Sequence, residues 1–316
     1  MRIAILGAGG TGSMAGAVLQ KGGASILLVD PYKEHMDKIS TEGLYMEKNI
    51  GEPETVIMPT QYPVTDGEPF DVVIVLTKGM HTRAAVEQSP GLFGPDTVVI
   101  TFQNGLGNIE NLFPYFPEEN IGYGVMHLSG HMRGPGHIWA KLHPLERNSV
   151  YFKNVVEGAH EDKYRAVEAY FRAGGIGAVF DHNCDSEIWN KVMINCAGNL
   201  PCAITRLHTG ELSAIPEGLE LQKQIFEECV RVADADGVHF DFDALWDKYV
   251  NVSLPAVAAQ HPSAALDAMN RRATEADYLN GAIGMIGRRH SIPTPVNDTV
   301  YKIMKVIQGS YDKQFA

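Results

Sequence analysis

The sequence predicts an α/β protein in two parts: an N-terminal parallel sheet with crossover helices, then an all-helical region. Three observations carry this. Short, continuously apolar runs alternate with helix-compatible segments up to about residue 181, the pattern of strands buried on both faces. The first run opens directly into a glycine cluster, Gly7-Ala8-Gly9-Gly10-Thr11-Gly12. Beyond Asp181 the strand signals nearly vanish and a 3.6-residue periodicity takes over. A chain of 316 residues suits two domains of ordinary size, here 1–181 and 182–316.

Taken in order, Arg2-Ile3-Ala4-Ile5-Leu6 is a short apolar strand, and the glycines after it fit a dinucleotide-binding fingerprint. In such a Rossmann unit Gly7 allows the tight turn, Gly9 lets a pyrophosphate approach the backbone, and Gly12 lets the helix pack close to the strand. The phosphates would sit on the unpaired N–H groups of the helix N-terminus, so Gly7, Gly9, Gly10, Thr11 and Gly12 are candidate cofactor residues. The helix runs from Gly12 to Gln20, Gly22-Gly23 ends it, and Ser25 to Val29 forms a second buried strand closing on Asp30. An acid placed there accepts hydrogen bonds from an adenosine ribose and suits the free 2′-hydroxyl of NADH. It would repel the 2′-phosphate of NADPH, although Lys33 stands close enough to answer such a phosphate. NAD(H) is therefore the expected cofactor and NADP(H) the alternative.

Pro31 to Thr41 reads as a helix, and Leu44–Met46 and Thr55–Met58 as short strands. Phe70–Thr77 and Thr97–Phe102 are β-rich runs ending at Lys78-Gly79 and at Gln103-Asn104-Gly105. Ligands on parallel sheets bind beyond the carboxyl ends of strands, which is where Asp30, Lys78 and Asn104 fall. From Ile121 to Phe152 the pattern shifts to strands and turns. His127, His131, His137 and His143 lie there at spacings that fit no zinc pattern, and they read as polar positions of a hairpin. A helix Asp162–Ala173 and a strand Ala178–Phe180 complete the first domain. Ser186–Asn199, Gly218–Asp236, Asp241–Asn251, Ala264–Arg289 and Pro295–Gln308 then read as helices.

In the first of these, Glu187, Lys191, Asn195 and Asn199 recur every fourth residue and share one stripe, while Ile188, Trp189, Val192, Met193, Ile194 and Cys196 cover most of the rest. A lysine on a helix that is apolar nearly all round needs partners or a ligand. The bland alternative is a surface stripe with a Glu187–Lys191 pair worth a few tenths of a kcal/mol. Glu275 in turn could pair with Arg271, or hold Lys191 if the fold brings the two together.

Composition narrows the function. The formal net charge of −12 argues against a nucleic-acid partner. Cys184, Cys196, Cys202 and Cys229 lack any C-x-x-C or zinc-ribbon spacing and read as reduced thiols. No apolar run approaches the ~20 residues that span a bilayer, so the expectation is a cytoplasmic protein without a membrane partner.

The glycine fingerprint, Lys78, Asn104-Gly105, Glu187-x-Trp189-x-Lys191-x-x-x-Asn195, Ser263 and Thr274-Glu275-x-Asp277-Tyr278-x-Asn280-Gly281 occur in this order over nearly the whole chain. In this the chain resembles the ketopantoate reductases (2-dehydropantoate 2-reductases). The resemblance implies a Rossmann domain joined to an all-helical domain like that of 6-phosphogluconate dehydrogenases. It implies Lys191 as general acid with Glu275 as its partner, and Asn195, Asn199 and Ser263 as substrate-binding. Lys78 and Asn104 would lie where nicotinamide meets substrate. The substrate would be a small 2-oxo acid branched at C3, ketopantoate first, and a homodimer is possible from the long C-terminal helices. Two departures stand out. Asp30-Pro31 replaces the basic residue common after the second strand, and Leu200 separates Asn199 from Pro201. The first makes an NAD-dependent D-2-hydroxyacid (D-mandelate-type) dehydrogenase the rival reading. A non-catalytic NAD(H)-binding regulator is a third, but it would not need Lys191, Asn195, Ser263 and Glu275 together.

Overall fold

The computed structural model describes residues 1–314. The chain divides into two compact units: residues 1–103 with 108–184, and Asn104–Gly107 with the chain from Asp185 onward.

The first unit is α/β. Its strands are β1 (Arg2–Leu6), β2 (Ser25–Val29), β3 (Leu44–Lys48), β4 (Glu54–Val56), β5 (Thr60–Gln61), β6 (Val72–Val75), β7 (Val98–Thr101), β8 (Ile121–Met126), β9 (Ser129–Gly134), β10 (His137–Lys141), β11 (Asn148–Asn154) and β12 (Gly177–Phe180). Helices α1 (Gly10–Lys21), α2 (Lys33–Thr41), α3 (Thr82–Gln88) and α4 (Glu161–Ala173) connect them. The main sheet has the order β12-β11-β8-β7-β6-β1-β2-β5. From β5 to β8 every pairing is parallel, and only the β8–β11 pairing is antiparallel. Its central strands β6 and β7 are fully buried, and β1 is buried beyond Arg2, as their apolar runs require. The short strands β3 and β4 around residue 50 and the β9–β10 hairpin do not extend this sheet. They form a second one, in the order β4-β3-β10-β9.

The second unit is helical: α5 (Asp185–Thr205), α6 (Thr209–Ala214), α7 (Pro216–Ala235), α8 (Phe242–Lys248), α9 (Ser263–Met269), α10 (Asn280–Arg289) and α11 (Pro295–Gln308). Its core gathers Trp189, Met193 and Leu200 of α5 with Phe226 and Val232 of α7, Ile283 of α10 and Met304 of α11.

Two helix expectations need correction. The segment 264–289 is not one helix. Chain reversal after α9 puts Arg271 in the left-handed region (φ 53°), and Thr274 is fully buried with its Oγ1 donating to Gln308 Oε1 at 2.7 Å. Conversely, α5 does not stop at Asn199 but runs through Pro201 to Thr205. Proline at 201 cannot donate to the Ala197 carbonyl, and the fully buried Gln222 of α7 supplies the missing donor from Nε2 at 3.3 Å.

Candidate active site

The glycine turn shows three different uses of a missing side chain. Gly7 has φ 99°, and a Cβ there would lie 2.3 Å from the Thr77 nitrogen. A Cβ on Gly12 would lie 2.0 Å from the Gly7 carbonyl oxygen, so helix and strand could not approach. Gly9 is exposed, with nothing within 4 Å of where its Cβ would be. It caps α1 with no side-chain hydrogen bond, and no acidic residue stands in the first turn. This leaves an open, positively polarised helix end of the kind that takes phosphate oxygens. Gly10 and Thr11 have a further job. A Cβ on Gly10 would meet the Gly130 carbonyl at 2.4 Å, and Thr11 Oγ1 accepts from the Gly130 N–H at 3.3 Å, so both residues fix β9 against α1.

Asp30 directly follows β2, and its Oδ1 accepts the Tyr32 N–H at 2.9 Å. Lys33, the nearby cation that could answer a 2′-phosphate, is exposed and loosely paired at the surface. Its Nζ lies 3.7 Å from Asp37 Oδ2 and 5.0 Å from the centre of the Tyr62 ring. The Tyr62 hydroxyl donates to Asp37 Oδ1. Tyr62 first, then Asp37, pushes the Lys33 pKa above its ordinary value.

In the helical unit, Lys191 projects from α5 one turn before Asn195. Although part of the residue remains accessible, burial pushes the Lys191 pKa down to about 8, and the Glu275 carboxylate acts against that shift. Glu275 itself stands in the break between α9 and α10, just before the short turn Ala276–Tyr278. Asn195 is half-buried, and its side-chain amide makes no hydrogen bond among the described residues. Asn199 is 95% buried and committed: its Oδ1 accepts from Ser263 Oγ and from the Ala264 N–H, both at 3.1 Å. It thereby acts as the N-terminal acceptor for α9.

Asn104 and Lys78 fall in different units. The loop 104–107 belongs to the helical unit, where the Leu106 N–H donates to the Tyr278 carbonyl at 2.8 Å. Gly105 has φ 88°, and a Cβ there would lie 2.0 Å from that same carbonyl oxygen. Lys78 stays in the sheet unit, just before the short turn Gly79–His81. The histidines after β8 fall as hairpin positions: His131 on β9 and His137 on β10, the latter 2.8 Å from Glu47 Oε1. Among the described residues no cluster of His, Cys, Asp or Glu could hold a metal, and all four cysteines are buried and unbridged. No helix among those residues is long and apolar enough to cross a membrane.

Sequence reasoning passed over His35. It is 99% buried on α2, and its ring bridges the Gly136 N–H (2.9 Å to Nδ1) and Ser13 Oγ (3.0 Å to Nε2). Its position on the α2 face with Met36 and Ile39 was the one available signal, and it does not name the partners.

A parallel sheet with an open glycine turn, and a helical unit that keeps a lysine acidic beside a carboxylate, define a nicotinamide-dependent oxidoreductase acting on a CH–OH group. The chain belongs to the ketopantoate reductase family. The family model described as "Ketopantoate reductase PanE/ApbA" matches residues 3–150, and its C-terminal counterpart matches residues 183–308. Among curated relatives, the 2-dehydropantoate 2-reductase of Streptococcus pyogenes serotype M18 is 29% identical over 296 residues, covering 93% of this chain and 94% of its own. That of Lactococcus lactis subsp. lactis is 29% identical over 308 residues, covering 96% and 97%. The ternary structure of D-mandelate dehydrogenase with NADH and anilino(oxo)acetate superposes with a TM-score of 0.88 at 26% identity, covering 99% of this chain and 100% of that one.

Proposed function

We propose that this enzyme reduces a 2-oxo acid branched at C3 to the (R)-2-hydroxy acid, with NADH as the reductant. The observation that carries the reading is Lys191, an ammonium made acidic by burial while Glu275 keeps it charged and oriented. A bound dihydronicotinamide supplies the hydride. As C2 receives it, negative charge builds on the ketone oxygen, which Lys191 stabilises and then protonates. The hydride and the lysine proton together account for the two hydrogens gained by the product. Asn195, with its amide uncommitted, binds the nascent hydroxyl. Ser263 and Asn199 bind the carboxylate end, Asn199 by the side of its amide that α9 does not use. Asn104 meets the same substrate from its place beside the Tyr278 segment, and Lys78 serves the cofactor.

Ketopantoate leads as substrate because the curated relatives over nearly the full length are 2-dehydropantoate 2-reductases. A D-mandelate-type dehydrogenase is the second reading. Asp30 favours it, because a carboxylate at that place suits NADH, the cofactor in the D-mandelate dehydrogenase structure. Initial rates with ketopantoate, 2-oxoisovalerate and benzoylformate, each with NADH and with NADPH, separate the readings. Ketopantoate with NADH is the expected best pair. Failure of all three to oxidise either cofactor would remove the proposed chemistry, and a strong preference for NADPH would overturn the role of Asp30.

A further inference from the structure

We infer that His35 and Ser13 are positioning residues for the glycine turn, aiming the Gly9 N–H outward toward the pyrophosphate through a chain of hydrogen bonds. The inference rests on nucleotide binding at that turn.

The direction of each bond in the chain follows from its ends. The Gly136 N–H can only donate, so His35 Nδ1 accepts it and carries no proton. A neutral ring then bears its proton on Nε2, which donates to Ser13 Oγ at 3.0 Å. Ser13 in turn donates to the Ala8 carbonyl at 2.7 Å. Burial keeps the ring neutral by lowering its pKa, with Asp30 and the Ala8 backbone acting the other way. His35 and Ser13 are 1% and 0% exposed, so water does not compete for these bonds.

The end of the chain is the consequential part. Ala8 C=O and Gly9 N–H belong to one peptide group, and no peptide bond among the described residues is cis. In a trans peptide the two point in opposite directions. Holding the Ala8 carbonyl inward on Ser13 therefore turns the Gly9 N–H away from the buried side, at the one exposed glycine of the turn, where even a Cβ would meet nothing within 4 Å. Released from Ser13, that peptide is free to rotate, since glycine on one side imposes little resistance. Gly136 couples the relay to the turn between β9 and β10, while Gly10 and Thr11 anchor β9 on the other side of the same turn.

The test measures ADP-ribose dissociation constants by calorimetry, together with melting temperatures, for the wild type and three variants. Ser13→Ala removes the donor to Ala8. His35→Asn keeps an acceptor near the Nδ1 position but loses the Nε2–H. His35→Gln keeps a donor near the Nε2 position. The expected result is weakening by about tenfold, or ~1.4 kcal/mol, in Ser13→Ala and His35→Asn. His35→Gln should stay within about twofold, whatever the ranking of melting temperatures. Equal affinity in Ser13→Ala and the wild type would overturn the relay. So would His35→Gln binding as weakly as His35→Asn, because the histidine would then matter only for packing. A wild type that binds no ADP-ribose would instead refute nucleotide binding at the turn.

Discussion

An ammonium that titrates near pH 8 is present as the acid throughout the neutral range and is lost within a short span above it. For reduction, kcat/KM should therefore be level below pH 8 and fall about tenfold per pH unit above it, read from initial rates across pH 6 to ~10. Because Glu275 raises the Lys191 pKa, Glu275→Gln should move that inflection to lower pH, and an upward shift would contradict the pairing. Lys191→Ala should reduce kcat by about 10²-fold or more while leaving the affinity for NADH in place, which fluorescence titration checks. Asp30 carries a prediction of a different kind. Asp30→Ala alone should improve NADPH only modestly, because Lys33 stays with Asp37 and Tyr62. The double variant Asp30→Ala/Asp37→Ala should shift the NADPH-to-NADH ratio of kcat/KM by more than the two single effects combined. At this scale the sequence was readable wherever spacing along one element decides the matter, as for Gly7, Gly9 and Gly12 or for the stripe through Lys191. It was silent on the surroundings of Lys33 and the bonds of His35, whose partners Tyr62 and Gly136 arrive from remote segments.

Helix α5 shows how an element can outrun its own local signals. Pro201 argues for an end, yet the helix continues because Gln222 takes over the Ala197 carbonyl and Ser213 satisfies the other end of the Gln222 amide at 2.7 Å. Gln222→Leu, close in size but without the donor, leaves a buried carbonyl unpaired and should cost about 1–3 kcal/mol in denaturant unfolding. Helix α11 is anchored likewise: the buried Glu228 carboxylate accepts the Val296 and Asn297 N–H groups, each at 2.9 Å, at the positive end of the helix. Nothing in the local pattern of α7 marks Glu228 or Gln222 as different from the exposed acids and amides around them. The 264–289 segment erred in the opposite direction. Its apolar period persists on both sides of a break that only the burial of Thr274 against Gln308 explains.

Across the whole molecule, the alternation of apolar runs and then its loss near Asp181 were enough to expect a parallel sheet followed by helices. What the alternation did not reveal was that two groups of short strands, far apart in sequence, pair as β3 with β10 into a separate small sheet. Pairing between distant strands leaves no periodic trace in either. Nor did it reveal that the helical unit is discontinuous in sequence. Asn104–Gly107 belong to it, closing on the Tyr278 carbonyl through Leu106, with no room for any side chain on Gly105. For recombination between relatives this has a direct consequence. A single crossover near residue 185 would give a chimera whose 104–107 loop and Tyr278 segment descend from different parents. Only an exchange with additional crossovers flanking that loop would transplant the helical unit with its four-residue insert intact, so shuffled libraries should yield folded members mainly from parents that share this short loop.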